Sequence, residues 1–294
     1  MNVHLVDGTY ELFRHFFALP PHADADGNER AAVRGVVGSI VGMLEDGATH
    51  VGVATDHVVE SFRNDLYDGY KSGEGMEPTL LAQFHPLENL LGALGVAVWP
   101  MVEFEADDGL ASAVDVARSA PGVDTIYVCT PDKDLAQCVD GQRVVLYDRR
   151  KKLLLDEEGI VEKFGVAPAS IPDYLALVGD AADGFPGLPG WGAKSAALVL
   201  SHYRHIESIP DDVDAWAVRP RGAARLAATL AADRESALLF RRLATLRKDA
   251  PVGRSPEQWR WKGPSRHFAE MCEHLGAKGL VTRAERAAEG RSSR

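Results

Sequence analysis

Along the first half of the chain, short apolar runs alternate with longer stretches whose apolar residues recur every three to four positions. The short runs, at 2–6, 50–55, 95–99, 125–129 and 143–147, have the length and β-branched content of strands. A sixth, 152–155, forms a hairpin with the fifth around Asp148-Arg149-Arg150-Lys151. The longer stretches, 9–18, 30–46, 77–93, 106–118 and 133–138, read as helices. This alternation predicts an α/β fold, with a mostly parallel central sheet flanked by helices. Right-handed crossovers put the carboxyl ends of parallel strands on one edge, where open α/β sheets bind their ligands.

After about residue 156 the strand signals stop. Ala- and Leu-rich helices separated by Pro and Gly are expected at 156–164, 170–178, 191–203, 220–231, 233–248 and 264–275. The expected organisation is an α/β core over 1–171, a helical module over 172–275 and a partly disordered tail over 276–294. Residues Arg283–Arg294, rich in Arg, Glu and Ser, are expected to fray.

Acidic residues stand just past the apolar runs. Asp7 follows the first and Asp56 the second, and Glu105-Ala106-Asp107-Asp108 opens a helix. Asp132-Lys133-Asp134 follows the fourth strand, and Asp180-Ala181-Ala182-Asp183 precedes a glycine-rich turn. Each station alone has a plain explanation. Asp132 reads first as a helix cap, Glu105 and Asp108 read equally as capping or metal binding, and Asp180 and Asp183 as an acidic loop. Five stations converging on one edge change that balance, because crowded carboxylates stay ionised only when cations share the site. No Cys or His cluster accompanies them, so the donors are all oxygen, which suits Mg²⁺ or Mn²⁺ rather than Zn²⁺. So many carboxylates point to two ions and to phosphodiester hydrolysis.

The net charge of −11 argues against a polyanionic partner until the nine acids of these stations are set aside, which leaves −2. Charge is also uneven, with twelve Lys/Arg against four Asp/Glu between Arg219 and Arg266, and a basic run at Arg149-Arg150-Lys151-Lys152. Taken alone, these read as a solvated helix face and a hairpin tip. Three cysteines, Cys129, Cys138 and Cys272, have neither paired nor metal-binding spacing, which favours reduced thiols. No apolar run reaches the ~20 residues of a membrane helix, and the N-terminus enters a strand without a leader. A soluble, cytoplasmic monomer is expected.

Pro186-Gly187-Leu188-Pro189-Gly190-Trp191-Gly192-Ala193-Lys194-Ser195 places three glycines before a helix. Free N–H groups at Gly187, Gly190 and Gly192, with Lys194 and Ser195 behind them, could approach a DNA phosphate, although a plain Pro/Gly turn is the simpler reading. Phe62-Arg63 and Tyr70-Lys71 lie in a stretch too polar for core. Arg63 and Lys71 would offer charge to a scissile phosphate and Tyr70 a stacking face to a base, against the simpler reading of a solvated loop.

Taken together, these segments resemble the 5′-nuclease (flap endonuclease) family, and most of all the 5′-nuclease module of bacterial DNA polymerases I. The likeness runs in order through Val6-Asp7-Gly8, Ala54-Thr55-Asp56, Phe62-Arg63, Gly69-Tyr70-Lys71, Glu105-Ala106-Asp107-Asp108, Thr130-Pro131-Asp132-Lys133-Asp134-Leu135 and Gly179-Asp180-Ala181-Ala182-Asp183, and covers roughly 1–275. It implies a PIN-like nuclease core with an arch near 65–90 and a helix-hairpin-helix module near 172–245. It also implies two or more Mg²⁺ or Mn²⁺ ions on Asp7, Asp56, Glu105, Asp107, Asp108, Asp132, Asp134, Asp180 and Asp183. A K⁺ ion held by backbone carbonyls of the helical module is a further implication. The implied activity is two-metal hydrolysis of DNA bearing 5′ flaps or 5′ ends, to 5′-phosphate and 3′-hydroxyl products, in replication and repair.

No polymerase region follows, so a stand-alone enzyme is expected. The sequence departs from the family at Ser72-Gly73-Glu74-Gly75, where a second basic residue is usual, and at Ala182-Asp183-Gly184, where the family has Ser-Asp-Asn. Trp191 replaces a small aliphatic and is expected to pack inward. Val6-Asp7-Gly8-Thr9 is similar to the start of aspartyl-phosphate phosphatases, but Leu5 stands where their nucleophile must be. A non-catalytic binder of branched DNA and a nuclease acting on RNA are the alternatives.

Overall fold

The computed structural model describes residues 1–292. Its chain forms two compact units interleaved along the sequence. One comprises Met1–Val59, Gly73–Thr130 and Lys248–Arg294, the other Glu60–Ser72 and Pro131–Arg247.

The first unit holds the parallel strands β1 (Asn2–Asp7), β2 (His50–Asp56), β3 (Ala97–Met101) and β4 (Thr125–Cys129), in the order β3-β2-β1-β4. Val6 stands opposite Val53 on one side and Cys129 on the other. The chain steps outward from β1 to β3 and then returns to the far side of β1. The order therefore reverses between β1 and β4, and Asp7 ends β1 at that switch point. β2 is apolar on both faces, with Val51, Val53 and Ala54 fully buried, as expected of a parallel strand covered on both sides.

Helices α1 (Gly8–Ala18), α2 (Ala31–Glu45), α3 (Pro78–Leu81), α4 (Phe84–Leu94) and α5 (Ala106–Ser119) connect these strands. The single helix expected at 77–93 is broken at Ala82-Gln83. Pro86 has no N–H to donate back to Ala82, and its ring crowds that carbonyl, so a new helix starts just before it. The buried Gln83 side chain fills the break, accepting from Val33 N (3.3 Å) and donating to Thr79 O (3.3 Å).

In the second unit, β5 (Val144–Asp148) and β6 (Leu153–Leu155) form an antiparallel hairpin, whose tip carries Arg149–Lys152. The helices are α6 (Glu157–Phe164), α7 (Ile171–Val178), α8 (Ala193–Tyr203), α9 (Ala223–Ala232) and α10 (Arg234–Ala244). Asp134–Cys138, expected as a helix, is one 3₁₀ stretch. α7 packs on α10 through Leu175, Leu177, Ala237 and Phe240, all buried. Asp173 of α7, also buried, accepts from Ile206 N (3.1 Å) and Arg241 Nη1 (3.4 Å) and lies 3.0 Å from His205 Nδ1.

The chain closes in the first unit with α11 (Arg266–His274) and α12 (Gly279–Ser292). The tail expected to fray is thus helical through Ser292, and positions 293–294 lie outside the described residues. Its polar composition hides a narrow apolar stripe. Leu280 and Ala284 are buried where α12 packs on α2, and Arg283 grips Glu45 with Nη2 to Oε2 at 2.6 Å. Among the described residues no helix is long and apolar enough to cross a membrane, and all three cysteines are free and buried.

Candidate functional site

In the first unit the acids lie at the carboxyl ends of adjacent strands, and backbone geometry holds each one. Asp7 is the N-cap of α1. Its Oδ1 accepts from Tyr10 N (2.8 Å), and its Oδ2 accepts from the Thr130 hydroxyl (2.9 Å) that follows β4. Asp56 ends β2. Its N–H donates to Thr9 Oγ1 (2.8 Å), and its Oδ1 accepts from Ala106 N (2.7 Å) at the start of α5. Glu105 is the N-cap of α5, and its N–H donates to Asp108 Oδ2 (3.0 Å) in a capping box. Asp108 is fully buried and turned back on the helix start, while Asp107 is half-buried. The capping reading of this segment holds, and because Ala106 N donates to Asp56 Oδ1 the start of α5 also stands beside Asp56.

In the second unit, Asp134, Asp180 and Asp183 present carboxylate oxygens that all lie within 4.8 Å of one another, and all three residues are buried. Asp132 Oδ1 accepts from Asp134 N (2.9 Å), and Asp180 Oδ1 accepts from Ala182 N (3.0 Å). Asp134 Oδ1 has no hydrogen-bond partner. Burial, and then the charges of Asp132 and Asp183, push the Asp134 carboxyl well above the usual carboxylate range. Two lysines offset the charge. Lys71 Nζ lies 2.9 Å from Asp183 Oδ1, while Lys133 Nζ contacts Asp180 Oδ2 and lies 3.7 Å from Asp134 Oδ1. Burial disfavours the Lys133 ammonium, but Asp134, Asp180 and Asp132 outweigh that and hold its pKa above the ordinary lysine value. A buried carboxylate oxygen without a hydrogen bond, among carboxylate oxygens of two further acids, fits a hard divalent cation.

The stretch read as too polar for core turns inward. Arg63 is 1% exposed, and its Nε donates to Leu243 O (2.7 Å) just before the end of α10. Its guanidinium lies 4.6 Å from the Phe62 ring centroid. Tyr70 is 5% exposed and so offers a base little stacking face. The expectation of two basic groups and a ring offered to nucleic acid thus narrows to Lys71, which keeps about a third of its side chain in solvent. The polar neighbours hid this burial, because the Arg63 guanidinium is satisfied by backbone carbonyls far along the chain.

Gly184, where the family has Asn, has a φ of 85°, and a Cβ there would meet Gly69 O at 2.2 Å. Two backbone segments therefore pack closely at this position. Lys71 N–H donates to Asp183 O (3.0 Å) beside it. In the glycine-rich turn, Gly187 packs so tightly against Val178 and Gly179 that a Cβ would meet Gly179 N at 2.4 Å. Gly192 is different, being the extended N-cap of α8, where a Cβ would meet nothing within 4 Å. Ser195 Oγ accepts from Gly192 N (3.1 Å), Lys194 is exposed, and Trp191 is buried with Nε1 donating to Leu226 O (3.3 Å). Sequence reasoning gave no role to Lys133, although its place between Asp132 and Asp134 was a signal.

Two family models match the chain. One is 5'-3' exonuclease, N-terminal resolvase-like domain, over residues 2–165, and the other is 5'-3' exonuclease, C-terminal SAM fold, over 166–267. DNA polymerase I of Mycobacterium tuberculosis is 35% identical over 287 residues, which cover 95% of this chain and 31% of the relative. The chain thus spans about a third of the length of the curated relatives it matches. Among solved structures, bacteriophage T5 flap endonuclease in a pseudo-enzyme–product complex with DNA and metal ions aligns with a TM-score of 0.62 at 16% identity, covering 98% of each chain. The catalytic core of Rad2 with a DNA substrate aligns with a TM-score of 0.63 at 16% identity, covering 97% of this chain and 91% of that one. At such identities the structural likeness speaks for the fold.

The raised pKa of Asp134 has a measurable consequence for the ion-free protein. The folded state holds a proton that the unfolded state has already released, so stability falls as pH rises from the unfolded value through the folded one. Asp134→Asn removes that penalty. In EDTA at neutral pH the variant is expected to melt higher than the parent, by about 2–4 °C for each kcal/mol relieved. The gap should close towards acidic pH, where Asp134 is protonated. Calorimetry across that range checks it, and a lower-melting variant at neutral pH would refute it.

Proposed function

The chain belongs to the 5'-3' exonuclease family, and from that footing we propose that it is a divalent-metal-dependent, structure-specific 5′ nuclease that hydrolyses DNA at 5′ flaps and 5′ ends. The observation that carries this reading is the buried Asp134–Asp180–Asp183 cluster with its unpartnered Oδ1. Without an ion the repulsion is met by a proton on Asp134 and by the two lysines, whereas a divalent cation would let all three carboxylates stay ionised. An all-oxygen donor set selects Mg²⁺ or Mn²⁺. Asp7, Asp56, Glu105 and Asp107 are assigned to one ion, and Asp132, Asp134, Asp180 and Asp183 to another. Asp108, turned back on the start of α5, positions Glu105 and Asp107. The ions, when bound, supply an activated water and stabilise the leaving oxygen.

The chain's own residues do the rest. Lys71 neutralises Asp183 in the ion-free protein, and with that carboxylate engaged as an ion ligand its ammonium would be available to a phosphate oxygen. Lys133 does the same for Asp180 while held in place by Asp134. Arg63 anchors the Lys71 segment to the end of α10 instead of meeting substrate. Gly190 and Gly192 leave the start of α8 open to a backbone phosphate, with Lys194 and Ser195 behind them. A K⁺ ion on backbone carbonyls of the helical module and a reducing, cytoplasmic setting complete the reading.

Three measurements test it on a 5′-flap duplex with Mg²⁺ or Mn²⁺. Asp132→Ala should nearly abolish cleavage while flap binding persists or tightens, because one repulsive charge leaves the phosphate site. Binding lost in step with cleavage would make Asp132 structural. Lys71→Ala should slow single-turnover cleavage about 10²–10³-fold, or ~3–4 kcal/mol, with little change in affinity. A wild-type rate would leave Lys71 a mere partner of Asp183. Gly192→Val should weaken duplex binding at unchanged melting temperature, whereas Gly187→Val should lower the melting temperature itself. Unchanged affinity in Gly192→Val would reduce the segment to a turn.

A further inference from the structure

A second cluster of ligand-type side chains lies in the first unit and differs from the carboxylate groups in chemistry. His85 and Glu88 are three residues apart on α4 and so share one helix face. His57, the residue after β2, meets that face. His57 Nδ1 lies 2.8 Å from Glu88 Oε2, and His85 Nδ1 lies 4.0 Å from the same oxygen. The three donor atoms all fall within 4.8 Å of one another. The two imidazole rings meet edge to face, with centroids 4.1 Å apart.

We propose that His57, His85 and Glu88 bind a borderline transition ion, Zn²⁺ or Co²⁺, at a site separate from the oxygen-only carboxylate groups. Four features of the geometry support this. First, adjacent ligands of a tetrahedral zinc ion with bonds near 2.0–2.1 Å stand roughly 3.3 Å apart, and the observed 2.8 and 4.0 Å bracket that value. Second, Glu88 is buried and its other oxygen, Oε1, accepts from the fully buried Thr55 hydroxyl at 2.7 Å. That bond fixes the carboxylate so that Oε2 faces the imidazoles, as outer contacts do for metal-bound carboxylates.

Third, one imidazole would satisfy Oε2, yet a second stands just beyond hydrogen-bond range of it. Fourth, the His85 side chain is 68% exposed, which leaves an entry path and room for water as a fourth ligand. Two nitrogens and one oxygen favour zinc-like ions over Mg²⁺, which prefers oxygen ligands throughout. An ion there would tie the residue directly after Asp56 to α4 and so pin the chain where it leaves β2. The inference does not depend on the nuclease reading.

The test titrates Co²⁺ into the full-length protein in a large excess of Mg²⁺, which occupies oxygen-only sites. One equivalent of Co²⁺ is expected to bind, with the visible absorption of a nitrogen-ligated, low-coordinate ion, and Zn²⁺ should displace it. His85→Ala should weaken that binding by at least ~10-fold, and Glu88→Gln should do so comparably. Zn²⁺ should raise the melting temperature of the parent and leave His85→Ala unmoved. Because His85 is largely exposed, its variant is expected to fold, and a far-ultraviolet spectrum confirms that. Should Glu88→Gln fail to fold, His85→Ala alone decides. Absence of Co²⁺ uptake in excess Mg²⁺, or equal uptake by parent and His85→Ala, would overturn the proposal.

Discussion

Repulsion between like charges is the constraint around which this molecule is arranged. In the second unit buried carboxylates lie within a few ångströms of one another, and throughout the molecule each acid drawn from water needs an interaction that compensates for lost hydration. In the first unit the compensation is local and comes from the backbone. Asp7 receives the Tyr10 N–H, Asp56 the Ala106 N–H and Asp108 the Glu105 N–H. These are the donors that helix starts leave unsatisfied, so α1 and α5 begin where they do partly because the acids are there. In the second unit the compensation comes from the ammonium groups of Lys71 and Lys133, and it is incomplete at Asp134. That incompleteness leaves Asp134 the least compensated acid of the group.

Much of this was legible in the sequence, for physical reasons. A parallel strand buried on both faces must be a continuous apolar run, so β1, β2 and β4 stood out, and their carboxyl ends located Asp7 and Asp56. The i,i+3 spacing of Glu105 with Asp108 and of Asp180 with Asp183 was equally local. What stayed hidden depends on distant partners. The burial of Arg63 is set by carbonyls 180 residues away, and α12 is held by Glu45 across 238 residues. The break between α3 and α4 was readable from Pro86, but the helical pattern on both sides of it masked the signal. The interleaving of two compact units along the chain has no local signature at all.

The glycines of the helical segments differ in whether close packing requires them. Gly184 and Gly187 sit against backbone with no room for a side chain, whereas Gly192 faces open space. Trp191, beside it, spends its indole N–H on Leu226 O and packs near Trp216. One short turn therefore contains both a rigid anchor and an exposed edge.

The dual employment of Asp7 limits what can replace it. Its carboxylate caps α1 and also holds the Thr130 hydroxyl beyond β4, so most replacements would loosen both the helix start and that tie. Asparagine alone among common replacements keeps an oxygen acceptor of the same reach at an N-cap while giving up the negative charge. An Asn at the end of the first strand would therefore keep the start of α1 intact while lowering the charge there by one.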